Sequence, residues 1–224
     1  MFHWLFALSF VGAYLTAETE RWLLLHISLG YTMAGLLVFR LVYGVVGPRP
    51  FRLISLLGKL RAAPAWFQTM RTSLLQPTAP WRQGQNLVMP LITVVILLLV
   101  VPLTLSGYGT YHEWGGEAFT DALEELHEFF GELMLLVVLA HIAWLVVLSG
   151  LRRTNMAKPM LTGCVSGAGP DLVPANRTAL AALMLVVVMA WFTWQALQNE
   201  AGLIPSGTNV QYSEPWRHDD DEDD

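Results

Sequence analysis

Residues 126–142 read LHEFFGELMLLVVLAHI, an apolar helical stretch that carries two histidines, His127 and His141, fourteen residues apart. At about 100° per residue, fourteen steps return to within roughly 40° of the starting direction while the helix climbs ~21 Å. Both imidazoles therefore share one face of one helix, at two depths. Every residue from Leu133 to Ala140 is apolar, so the helix is expected to cross lipid with the two polar rings turned toward a common interior.

The rest of the chain agrees. Of its 224 residues, 54% are hydrophobic and only 14% charged, more apolar surface than a soluble core of this size can hide. Five apolar stretches stand out: Phe2 to Ala17, Trp22 to Val46, Leu87 to Tyr108, Leu126 to Leu151 and Thr178 to Leu197. Each is close to the ~20 residues that span hydrocarbon as a helix, and lipid requires a backbone whose hydrogen bonds are satisfied internally. The expected fold is all-α, an integral membrane helical bundle with a four-helix core and a fifth transmembrane helix. The expected divisions are a core over 1–151, a loop over 152–177, the fifth helix over 178–197 and an external acidic tail over 198–224. Residues 1–17 are read as a spanning segment rather than a signal peptide: no Lys or Arg precedes the apolar run, and Leu15-Thr16-Ala17 is a poor cleavage motif.

Orientation follows from the cations. The segment 47–86 holds Arg49, Arg52, Lys59, Arg61, Arg71 and Arg82, and the segment 152–177 holds Arg152, Arg153, Lys158 and Arg177, whereas the opposite side has only Arg21 and Arg217. The positive-inside rule places the amino terminus in the cytoplasm and the carboxyl terminus outside. Acidic residues gather on the outer side, ending in six consecutive acids at 219–224, a like-charge block expected to lack fixed structure. The single Cys164 allows no intrachain disulfide and no iron–sulfur cluster, and the chain contains no Cys-x-x-Cys-His for covalent haem attachment. No nucleic-acid partner is expected.

Two of the six histidines, His112 and His218, fall in external polar segments and read as solvated. The other four form two levels. His26 and His127 lie at the outer ends of the second and fourth apolar segments, and His3 and His141 near the cytoplasmic side of the first and fourth. One intramembrane histidine is readily explained by a hydrogen bond between helices; four arranged as two pairs point to function. A bis-histidine site between helices suits haem b, because neutral imidazole binds iron axially and apolar faces take the macrocycle. Gly30 follows His26 by one turn, and Gly131 follows His127 by one turn. Both remove side-chain bulk where a flat ring could lie, although Gly30 would serve close helix packing equally. Arg40 lies fourteen residues below His26, the spacing of His127 to His141. It is either the partner of a haem propionate at the inner level or a snorkelling cation. Arg21 is a weaker outer counterpart.

Other metals fit less well. Glu124-Glu125-Leu126-His127 holds one Glu-x-x-His, but a di-iron carboxylate bundle needs a second copy and further buried glutamates. Zinc or copper could use two or three histidines, without explaining two levels most of a membrane apart.

The segments FHWLFALSFVGAYLTAE, LHISLGYTMAGLLVFRLVYGVVGPRP and LHEFFGELMLLVVLAHI resemble the bacterial cytochrome b561 and nickel–iron hydrogenase b-type cytochrome group. The likeness is in the histidine placement and in the Arg-Leu-x-x-Gly and Gly-Pro-Arg-Pro that close the second segment, and it covers roughly residues 2–151. The resemblance implies a dihaem cytochrome b of the bacterial inner membrane, binding two non-covalent haems b and exchanging electrons with membrane quinone. It implies His26 with His127 as ligands of the outer haem iron, and His3 with His141 as ligands of the inner. The fifth segment and the acidic tail look like those of group members that serve periplasmic c-type cytochromes. Such a tail can steer a basic partner at low ionic strength; a merely solvated tail is the plain alternative. Two further functions compete: a membrane reductase acting at the outer haem on superoxide or ferric iron, and a membrane anchor or electron-transfer subunit of a hydrogenase-like complex.

Overall fold

The structure is a computed structural model and describes residues 1–47, 52–61, 64–65, 68, 81–158, 162 and 178–198. Cys164, His218, Arg217 and the acidic tail lie outside the described residues. As the apolar segments imply, the described residues are helical: α1 (Phe2–Leu15), a 3₁₀ turn (Glu20–Trp22), α2 (Leu23–Val46), α3 (Leu53–Leu60), α4 (Trp81–Tyr111), α5 (Glu117–Arg152) and α6 (Thr178–Gln198). Among the described residues four helices, α2, α4, α5 and α6, are long and apolar enough to cross a membrane. At fourteen residues, α1 rises only ~21 Å, short of the ~30 Å hydrocarbon thickness.

Two helices outrun their apolar segments. α5 starts at Glu117, nine residues before Leu126, and α4 runs from Trp81 rather than Leu87. Hydropathy registers only the part of a helix that meets lipid, whereas Glu117-Ala-Phe-Thr-Asp-Ala-Leu-Glu-Glu-Leu126 is rich in good helix formers and continues the helix into the polar boundary. His127 therefore sits ten residues inside α5, well away from its fraying end. α4 contains Pro90 and Pro102, which a membrane helix tolerates when neighbouring groups re-satisfy the backbone.

Two hairpins make the core. α1 and α2 join through the 3₁₀ turn. α4 and α5 join through residues 112–116, where Glu113 (φ 49°), Gly115 (φ 77°) and Gly116 (φ 86°) take left-handed conformations that reverse the chain in five residues. Small residues let the hairpins close, as membrane helices require. A Cβ built on Gly12 would stand 2.9 Å from Leu29 Cδ1, and one on Gly109 2.6 Å from Leu123 Cδ1. Close backbone packing links α4 to α5, α1 to α2 and α2 to α4. Among the described residues, α5 makes little such contact with α1 or α2 and meets their cluster through side chains such as Met134.

The core lies midway between the histidine levels. Met134, seven residues from both His127 and His141, is fully buried, and Met33, Leu36, Leu37, Val100 and Leu103 close around it. Large apolar side chains face outward elsewhere, among them Leu136, Val146 and Leu197, as lipid-facing positions do. α6 rests on α2 through Trp191, whose indole donates to the Ser28 carbonyl at 3.3 Å and meets the Tyr31 ring edge-on. Below that contact a cleft of about 360 Å³ separates α2 from α6.

Candidate functional site

At the outer level, His26 of α2 and His127 of α5 face each other, with ring centroids 5.9 Å apart and planes crossed at 80°. Each ring is tied to the main chain of a further helix. His26 Nδ1 lies 2.8 Å from the Ala13 carbonyl of α1, and His127 Nδ1 lies 2.9 Å from the Leu103 carbonyl of α4. A carbonyl only accepts, so in both neutral rings the hydrogen is on Nδ1 and the lone pair on Nε2. That is the state in which an imidazole binds a metal, with the other nitrogen's hydrogen bond setting ring orientation and basicity.

Local sequence explains why these carbonyls are reachable. α1 ends at Leu15, so its last carbonyls lose their helical partners. The Ala17 N–H goes to Tyr14, leaving the Ala13 carbonyl to Thr16 and His26. On α4, the stretch Ser106-Gly107-Tyr108-Gly109 keeps bulk off the face that α5 approaches. A Cβ on Gly107 would stand 2.6 Å from His127 Cε1 and 2.8 Å from Nδ1, so only glycine admits the ring. Ser106, 2% exposed, donates to the same Leu103 carbonyl at 3.1 Å and lies 3.4 Å from His127 Nδ1.

The inner pair is looser. His3 is exposed on the first turn of α1, and His141 is half-buried on α5. Phe2 stacks on Phe39 at 6.2 Å, which sets the Arg40 turn of α2 at the depth of His3. The Arg40 guanidinium runs along α2 toward Gly44. Arg21, in contrast, is exposed over the Trp22 ring. Among the described residues no three His, Cys, Asp or Glu side chains converge on one point, and His26 and His127 meet as a pair.

The family model for prokaryotic cytochrome b561 matches residues 1–163, the stretch that contains α1 to α5 and both histidine pairs. The chain belongs to the prokaryotic cytochrome b561 family. No curated protein and no solved structure gives a significant match. As a member of the cytochrome b561 family, the chain is a membrane-spanning electron-transfer protein that binds b-type haem. α6 lies beyond the matched residues.

The residues present fit haem. The facing imidazoles stand on α2 and α5, whose backbones keep apart, and the glycines beside them are open: a Cβ on Gly30 meets nothing within 4 Å, and one on Gly131 meets only Leu103 Cδ1 at 4.0 Å. Two imidazoles on separate helices beside two uncrowded glycines would hold the iron of a haem b and leave space for its ring. The sequence points to His26, His127, Gly30 and Gly131 as candidates and does not single out Ala13, Leu103, Ser106 or Gly107, which meet the two rings. Main-chain acceptors carry no sequence signature; the Ser-Gly-x-Gly run on α4 was the one available sign.

Proposed function

We propose that this cytochrome b561 family member carries two haems b, an outer one held by His26 and His127 and an inner one held by His3 and His141. We propose further that it passes electrons between the membrane quinone pool and a periplasmic acceptor such as a c-type cytochrome. The observation that carries the reading is the outer pair, two opposed imidazoles each fixed through Nδ1 in the metal-binding tautomer. The inner assignment rests on the fourteen-residue spacing along α5 and on the place of His3 in the first turn of α1.

When bound, haem b supplies an iron that takes up and returns one electron. The chain's own residues supply everything around it. His26 and His127 would each offer Nε2 to the iron, the Ala13 and Leu103 carbonyls would raise ligand basicity, and Gly30, Gly107 and Gly131 leave room for ring and macrocycle. Arg40, within reach of the inner level, is a cation for a propionate. The buried layer around Met134 and Val100 keeps water from the low-dielectric path between the levels. The cation distribution supports an inner-membrane orientation with the amino terminus in the cytoplasm. The acids at 219–224 then lie in the periplasm, where a basic haem-edge partner would dock.

The test is a reduced-minus-oxidised spectrum with a pyridine haemochrome count on detergent-purified protein. Two low-spin haems b per chain are expected. One haem would remove the inner assignment, and none in a folded preparation would overturn the reading.

A further inference from the structure

Trp144 lies three residues beyond His141 on the inward face of α5, four before Leu148, which is 2% exposed. Its indole Nε1 is completely enclosed and has no hydrogen-bond partner among the described residues; the same is true of His141 Nδ1, one turn away. A buried donor without an acceptor is costly, and tryptophan is normally placed where its N–H finds a partner. Indole only donates, so its counterpart must be an acceptor at the depth of His141 or just to its cytoplasmic side. The main chain of a membrane helix is largely committed to its own hydrogen bonds, and the neighbouring positions of α5, Ala143, Leu145, Val146 and Val147, are apolar.

We propose that Trp144 donates its indole N–H to a carboxylate of the haem held at the inner level, on the cytoplasmic side of His141. This rests on the inner-haem assignment above. A haem b carries two propionates, which would place charged acceptors beside its axial ligand. One of them reaching the enclosed N–H turns an unsatisfied group into a charge-assisted hydrogen bond, stronger than a neutral one. Arg40 approaches the same depth from α2, so a cation and a neutral donor on different helices would share the two carboxylates. Trp144 acts here as a positioning residue: it fixes the rotation of the macrocycle about the axial bond and offsets carboxylate charge that otherwise favours the ferric state.

The test compares Trp144→Phe, which keeps the ring and loses the N–H, with Trp144→Gln, which keeps a donor and loses the ring, in the full-length haem-loaded protein. The inner haem is identified as the redox transition missing from His141→Ala. In Trp144→Phe that transition should fall in potential, and transfer of the inner haem to apomyoglobin should quicken about tenfold, the effect of losing one hydrogen bond to a charged acceptor. The outer transition should not move, and Trp144→Gln should stay nearer the native inner potential. Native potential and native release in Trp144→Phe overturn the proposal. So does a Trp144→Gln chain with the lowered potential, which decides the matter alone if Trp144→Phe does not fold. A native count of one haem per chain would sink the inner-haem assignment itself, and the proposal with it, before any variant is made.

Discussion

His26 and His127 stand with ring centroids 5.9 Å apart and planes crossed at 80°, and each ring is tied to the backbone of a different neighbouring helix, Ala13 of α1 and Leu103 of α4. Four helices, α1, α2, α4 and α5, thus converge on one pair of side chains. Neither ring turns without breaking a hydrogen bond. If His26 and His127 keep these planes when they hold a ferric haem, its low-spin electron paramagnetic resonance signal should be strongly anisotropic. A rhombic signal of the kind given by parallel imidazoles would mean that the rings rotate when haem is present.

Removing one ligand should separate the two levels. His127→Ala is expected to lower the haemochrome count from two to one per chain and to leave the inner haem's spectrum in place, because His3 and His141 share no hydrogen-bond partner with His127. Two unaltered haems in that variant would show that the pairing is wrong.

The glycines beside the outer pair make opposite predictions. Gly107→Ala puts a methyl group into the His127 ring, an overpacking that costs about 1–3 kcal/mol, and should reduce haem retention and disturb the low-spin signal. Gly30→Ala meets no protein atom within 4 Å, and alanine is the better helix former. The haem-free chain should tolerate it. Lower haem affinity in Gly30→Ala with unchanged helix content would place the macrocycle against α2; equal affinity would move it elsewhere.

Steering by the acids at 219–224 is a rate effect with a salt signature. Deleting them should slow electron transfer to a basic c-type cytochrome by about tenfold at low ionic strength, and the difference should vanish as the Debye length shrinks to ~3 Å near 1 M salt. Stopped-flow rates that do not depend on the tail at any salt concentration would leave the segment as a solvated terminus.

Much of the fold was legible in advance because lipid imposes simple rules. Hydropathy located the spanning helices, and it missed the extra turns of α5 before Leu126 because polar helix formers leave no hydropathic trace. The His127 to His141 spacing was legible because helical geometry is periodic. Gly30 and Gly131 stand out as candidates by the same periodicity. Gly107 does not, because its meaning comes from a histidine twenty residues later on another helix.

The sequence by itself determined that the chain is a helical membrane protein with histidines at two depths, since both facts depend on composition and local periodicity alone. Only the tertiary structure decided which groups hold the outer two, His26 and His127. The partners are the carbonyls of Ala13 and Leu103, and every residue has a carbonyl. One becomes available because α1 ends two residues later, the other because α4 is bare of side chains where α5 crosses it. Those are properties of how helices end and meet, and no single segment contains them.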